Sequence, residues 1–228
     1  MGVAAPFVPT PAEDLMLVGD SIVFGGNPYR QADRLGPLLQ QRSGSTVWPV
    51  SAGSWGIVNQ AAYLARHPEA IRGADRIVFL WNGGDFGEGS SWVCDRNHPR
   101  EKPLLAVPYL IDRYLVRWRE CRETPPHLRL ASKAWLPMLR SALEGARDKP
   151  VAVFLFPDRN NTLLGDFERL ETLGREAAAL NHPQLTVHSI GRDPRWNAGL
   201  YRDDIHPTPE GNAVLADIIA RPGRAQWP

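Results

Sequence analysis

The sequence predicts one α/β domain, spanning residues 1–228, built on a parallel β-sheet with helices on both faces. Three observations carry that expectation. Five short apolar segments read as strands, several of them unbroken hydrophobic runs of the kind found in strands buried on both faces. Helical patterns lie between them, and this alternation implies right-handed βαβ crossovers. The length, 228 residues, is long for one domain and short for two; a chain of this size buries roughly 70–75% of its unfolded surface, enough for a core without metal or disulfide staples.

Taken in order, the first strand is LMLV (15–18), ending in Gly19-Asp20. TVWPV (46–50) and RIVFLW (76–81) are the second and third. They flank a helix whose apolar face is kept by Ile57, Val58, Ala61, Ala62, Leu64 and Ala65. After VAVFLF (151–156), a second face is kept by Phe167, Leu170, Leu173, Ala177 and Leu180, behind an expected Asp166 cap. LTVHSI (185–190) is the fifth strand. The last helix is the clearest. Thr208 caps it, Pro209 suits its first position, and Val214, Leu215, Ile218 and Ile219 form its buried stripe.

Residues 82–130 break the rhythm, being too many for a simple connection. This insertion opens Gly-rich (NGGDFGEGSSW), passes through DRNHPREKP and then offers a helix. Leu110, Ile111, Tyr114, Leu115 and Trp118 share one face of it, with Arg113, Arg117 and Arg122 elsewhere, as in an amphipathic surface helix with a solvated basic side. Following a strand's C-terminal end, the insertion is placed to wall a binding cleft.

Composition excludes several classes. A net charge of +1 gives no global field to favour nucleic acid or an anionic membrane. No apolar run approaches the roughly 18–20 residues that span a bilayer. The N-terminal stretch has neither a basic n-region nor an apolar h-region, which leaves the compartment open; periplasmic or secreted is slightly preferred to cytoplasmic. Cys94 and Cys121 bracket the polar insertion and are expected to pair if the protein is exported. Their spacing with His98 and His127 lies outside the usual short zinc spacings, so no metal site is expected.

Serine is a poor nucleophile until a base takes its proton, and histidine suits that task. In open α/β sheets the reactive ground lies beyond the C-terminal ends of the strands. Ser21 sits there, just after the first strand. If a helix starts at that point, its hydroxyl and N–H face a positive helix terminus suited to an oxyanion. Gly53, after the second strand, has no Cβ and can present its N–H closely to a substrate. The third strand ends in WNGGD (81–85). Just before the last helix, YRDDIHPTPEGN (201–212) gathers two carboxylates and a histidine. Each signal alone is weak, since a serine in a Gly-rich turn is usually a turn serine.

Together they are specific. GDS at 19–21, the glycine at 53, and Asp203-x-x-His206 followed by PTPEGN resemble the blocks of the SGNH (GDSL-type) hydrolases, in that family's order. The resemblance implies a three-layer α/β/α, flavodoxin-like sandwich with a five-stranded parallel sheet. It also implies that Ser21 is the nucleophile, His206 the general base and Asp203 the group orienting the imidazole, with no cofactor required. Asp204 is left as a solvated or capping carboxylate. Ser21 and Gly53 would supply oxyanion-hole N–H groups.

One departure stands out. The family's third block usually reads Gly-x-Asn-Asp, its asparagine amide serving the oxyanion hole. Aligning on Asp85 puts Gly84 where that asparagine belongs and leaves Asn82 two residues early. Either Asn82 reaches the hole from a rebuilt loop, or Gly83 or Gly84 donates instead, or the hole is weaker; the first is preferred to Asn82 merely capping its own loop. Asp85 is expected to be structural. Trp55 and Trp92 are core residues or substrate platforms. The function implied is a serine esterase acting on a small-molecule or glycan ester, with a short acyl group on carbohydrate the leading substrate by analogy. The alternatives are a polysaccharide O-acyltransferase using the same triad and a non-catalytic module holding an anion or glycan at VGDSIVFGGN. Oligomeric state is left open.

Overall fold

Each apolar run forms a strand: β1 (Asp14–Gly19), β2 (Thr46–Ser51), β3 (Arg76–Asn82), β4 (Val151–Phe156) and β5 (Leu185–Ser189). The computed structural model describes residues 9–26, 28–91, 94, 96, 99, 101–116, 130 and 134–221. Trp92, His98, Arg117, Trp118, Cys121, Arg122 and His127 lie outside the described residues. The strands are all parallel, in the order β2-β1-β3-β4-β5. Pro49, which lacks an N–H, is accommodated in β2 because that strand is an edge.

The two-residue period of the strands sorts their side chains into two cores. Met16 and Val18 of β1 and Ile77, Phe79 and Trp81 of β3 share one, with α3 (Ile57–Arg66), α4 (Pro68–Gly73) and α6 (Trp135–Glu144). Leu15, Leu17, Val78, Leu80, Phe154 and Phe156 share the other, against α2 (Leu35–Ser43) and α9 (Pro209–Ala220). Fully burying one such side chain contributes about 1.5–3 kcal/mol. The expected three-layer α/β/α sandwich is therefore what the chain adopts. The remaining helices are α1 (Ser21–Phe24), α5 (Ala106–Ile111), α7 (Arg159–Leu164) and α8 (Glu168–Ala178). Strand order reverses between β1 and β3, so a crevice opens at their C-terminal ends, where ligands bind in sheets of this kind.

Two local expectations need correcting. Asp166 does not cap α8: the helix starts at Glu168, and Phe167 occupies the cap position with no side-chain hydrogen bond. The apolar face expected of the insertion helix is not buried among its described residues. After α5 the chain enters a π-helical turn (Asp112–Val116), whose wider winding breaks the 3.6-residue register. Asp112 is the residue buried there, whereas Leu110, Tyr114 and Leu115 are exposed. Cys94 is disulfide-bonded. Among the described residues no helix is long and apolar enough to cross a membrane.

α9 begins as its sequence requires. Thr208 Oγ1 accepts the Gly211 N–H at 2.9 Å and Pro209 fills the first turn. Leu215, Ile218 and Ile219 are buried, and Val214 packs at their edge. Thr208→Ala should cost about 1 kcal/mol by loss of this cap, lowering the melting temperature by about 2–4 °C in a thermal scan.

Candidate active site

The turn that carries Ser21 is fixed by its neighbours. A Cβ on Gly19 would lie 2.5 Å from Val23 Cγ2 and 3.2 Å from the Leu80 carbonyl oxygen, so only glycine lets β1 run this tightly into α1. Asp20 Oδ1 then accepts the Ile22 N–H at 2.8 Å, capping α1 and setting Ser21 at its first position.

His206 is presented by a closed loop. Tyr201 and Pro207 pair in an antiparallel bridge, the Arg202 N–H donates to the His206 carbonyl at 2.8 Å, and the Thr208 N–H donates to the Leu200 carbonyl at 2.7 Å. Inside this loop Asp203 Oδ1 accepts the N–H groups of Ile205 (3.1 Å) and His206 (2.7 Å). Two contacts tie the segment to the β1 side of the molecule: Tyr29 Oη–H donates to the Pro207 carbonyl, and Asn212 Nδ2 donates to the Asp33 carbonyl at 3.0 Å.

The three side chains named by the sequence meet as a result. His206 Nδ1 lies 3.0 Å from both carboxylate oxygens of Asp203, and His206 Nε2 lies 3.0 Å from Ser21 Oγ. Partial burial works against ionisation of Asp203. The N–H groups of His206 and Ile205, with Arg202 and the imidazole, nevertheless hold its carboxyl well below the usual range. An ionised Asp203 keeps the ring proton on Nδ1, so the Nε2 lone pair faces the serine hydroxyl. Asp204 is exposed, and its carbonyl accepts the Arg159 N–H at 2.9 Å.

The third block behaves differently. Asn82 is the last residue of β3, so the strand, not a loop, sets its direction, and it points into the interior. Its Nδ2 donates to Asp20 Oδ2 at 3.0 Å and to Asp85 Oδ2 at 3.1 Å. Its Oδ1 accepts the Gly84 N–H at 2.7 Å. Two of the three expected third donors, the Asn82 amide and the Gly84 N–H, are therefore already committed within the protein. Neither can meet an oxyanion without giving up a hydrogen bond it makes within the protein, buried in the case of Asn82. The expectation turned Asn82 towards the hole; in the structure its amide faces Asp20 and Asp85. Asp85 holds the turn to its surroundings: Oδ2 also accepts the Asn82 N–H at 2.9 Å, and its carbonyl accepts the Ile57 N–H at 2.9 Å at the start of α3. Gly56 permits that approach, since a Cβ there would sit 2.8 Å from the Asp85 carbonyl oxygen.

Gly53 lies in the exposed turn after β2, where a Cβ would meet open space, and the neighbouring Ser54 has a left-handed φ of 62°. Trp55 packs against the core layer of α3, its ring 5.8 Å from that of Tyr63. A cleft of about 240 Å³ opens beside the imidazole loop, lined by the Asn82–Gly84 turn, Pro157, Asn161, Phe167 and Ile205. Trp55 does not line it. Asp20 is the participant that sequence reasoning missed. Its partners Asn82 and Ser21 come from different strand ends, and no local pattern marks a carboxylate that will be buried against another.

No protein-family model matches the sequence, and no curated protein matches it. Solved structures do. A protein of Desulfitobacterium hafniense DCB-2 described as lipolytic and of the G-D-S-L family is 13% identical, with a TM-score of 0.55 over 91% of this chain and 97% of that one. A carbohydrate esterase family 2 enzyme with a carbohydrate-binding domain, from Corynascus thermopiles (Myceliophthora fergusii), is 13% identical with a TM-score of 0.53, covering 95% of this chain and 67% of that one. TesA is 15% identical with a TM-score of 0.51, covering 91% and 96%. The chain thus has the fold of the SGNH (GDSL-type) hydrolases.

Two buried carboxylates on either side of one amide make a pH-sensitive pair. Burial raises Asp20 above its ordinary value, partly offset by the Ile22 N–H, the Ser21 hydroxyl and His206. Burial, and then the Asp20 charge, push Asp85 well above its ordinary value against the pull of the Asn82 N–H groups. A carboxyl raised on folding contributes stability that is present below its unfolded pKa, about 3.9, and lost as pH rises through the folded value. Asp85→Asn carries no such loss. Its melting temperature should therefore move upward relative to wild type as pH rises from about 4 through the folded value of Asp85, as calorimetry at several pH values would show. A constant difference across that range would mean that Asp85 is ionised in the folded protein.

Proposed function

We propose that the chain is a serine hydrolase of SGNH type that cleaves acyl esters through Ser21, His206 and Asp203. The observation that carries this reading is the unbroken relay from Asp203 through His206 Nδ1 and Nε2 to Ser21 Oγ, each contact at 3.0 Å. Its placement at the strand-order reversal of the sheet, beside a cleft, supports it.

In the forward direction His206 Nε2 takes the Ser21 proton as Oγ attacks the ester carbonyl carbon. The imidazolium formed is stabilised by the Asp203 carboxylate. The backbone N–H groups of Ser21 and Gly53 are the donors assigned to the developing oxyanion. As the tetrahedral species collapses, His206 returns the proton to the departing alcohol and leaves an acyl group on Oγ. Water then attacks that acyl-enzyme with His206 again as base, releasing the acid and restoring the serine. Each step balances in protons and needs only the side chains named.

A short acyl group on carbohydrate is the substrate proposed. The modest cleft, with polar Asp158 and Asn161 beside apolar Phe167 and Ile205, suits a small amphiphilic group. One fold neighbour is described as a carbohydrate esterase, which is support by analogy at the level of the fold.

Hydrolysis of p-nitrophenyl acetate tests the chemistry. Ser21→Ala and His206→Ala should each lower kcat by about 10⁴–10⁶ while the melting temperature stays near wild type. Asp203→Asn should cost less than His206→Ala, because the imidazole remains. Wild-type turnover by Ser21→Ala would sink the assignment. Acyl transfer to an added sugar in preference to water would make the protein a transferase using the same residues.

A further inference from the structure

The structure leaves Asn82 with an amide it cannot lend to an oxyanion, and its partners indicate another use. The orientation of that amide is settled by what surrounds it. Oδ1 receives the Gly84 N–H, and Nδ2 faces two carboxylate oxygens. The flipped amide would oppose like to like at all three contacts.

The Ser21 hydroxyl has one proton and two acceptors within reach: His206 Nε2 at 3.0 Å and Asp20 Oδ2 at 3.3 Å. A proton given to Asp20 is not on the path to the base. A buried carboxylate oxygen with no other donor is a strong acceptor, because leaving it unsatisfied costs the full desolvation of a charged group. Asp20 Oδ1 is occupied by the Ile22 N–H, and Oδ2 is the oxygen within reach of the Ser21 hydroxyl. Asn82 Nδ2 donates to that same oxygen at 3.0 Å.

We infer that Asn82, anchored by Asp85, is a positioning residue that occupies the Asp20 oxygen competing with His206 for the Ser21 hydroxyl. The inference rests on the reading of Ser21 as nucleophile. Asp85 holds the asparagine from two directions, accepting both its backbone N–H and its amide on Oδ2. Asp85 is in turn fixed through its carbonyl to the start of α3. Asn82 needs no contact with substrate in this role. Placing it as the last residue of β3, two positions before Gly84, is what brings its amide under Asp20.

The rate of serine labelling by a fluorophosphonate probe tests the idea without assuming a substrate. Wild type should label at Ser21 and Ser21→Ala should not; a wild type unlabelled at Ser21 overturns the nucleophile reading and the positioning role with it. With that control in hand, Asn82→Ala should label about 10²-fold more slowly, the scale expected when a reacting group is misdirected by about an ångström. Two double variants separate positioning from simple relief of charge. Adding Asp20→Asn removes the competing acceptor and should restore most of the rate. Adding Asp85→Asn relieves the same pair of buried charges but leaves Asp20 free, and should stay slow. Equal recovery in both, recovery in neither, or an Asn82→Ala rate equal to wild type would each overturn the proposal while leaving the nucleophile reading intact. Should Asn82→Ala lose its cooperative melting transition, Asn82→Ser takes its place in the same comparisons.

Discussion

The contact between Ser21 Oγ and His206 Nε2 joins residues 185 positions apart, and the arrangement of the site depends on it. A 3.0 Å approach between two short side chains leaves little tolerance in the backbones that carry them. One backbone is the end of β1, bound on both sides by β2 and β3. The other is an edge loop that has no sheet to hold it. It is instead closed on itself by the Tyr201–Pro207 bridge, fastened by Thr208 to the first turn of α9, and tied to the β1 side through Tyr29 and Asn212. The packing of α9 against α2 sets the distance between the two halves. Stability of the last helix and geometry of the imidazole are thus one problem.

The least comfortable part of the molecule lies next to Ser21. Asp20 and Asp85 are both buried, and their charges repel through a shared amide. Burying polar groups is tolerated when each is hydrogen-bonded, and every contact of Asn82 serves that end. An apolar cluster of the same size would be the more stable solution. Retaining ionisable groups there makes sense if they govern where the serine proton goes, which sites of this kind commonly do by placing carboxylates in contrasting surroundings. Asp203 and Asp20 show the contrast: the first is exposed, wrapped in donors and firmly ionised, the second buried and pushed upward.

The insertion after β3 contributes little to the cores among its described residues. Its exposed leucines lie before the π-helical turn (Leu104, Leu105, Leu110) and within it (Leu115, with Tyr114), where the buried residue is Asp112. Of the insertion, its opening turn (Asn82–Gly84) lines the cleft beside Ile205, together with residues at and before α7 and α8.

The sequence by itself determined the sheet, because strands covered on both faces must be apolar throughout, and that leaves a mark readable without coordinates. It determined the start of α9, since Thr208 and Pro209 act on backbone within three residues of themselves. It determined which residue types gather at the strand ends, since acyl transfer draws on so few side chains. Tertiary structure alone decided what Asn82 does. Its main partner, Asp20, is 62 residues away, and one residue's difference in where β3 ends turns the amide from solvent into the interior. It alone decided that Trp55 joins a core, that Asp166 caps nothing, and that the apolar residues near 110–115 face outward. The physical divide is range: burial periodicity and capping are local and repeat along the chain, whereas a side chain's hydrogen-bond partners are chosen by whatever the fold brings against it.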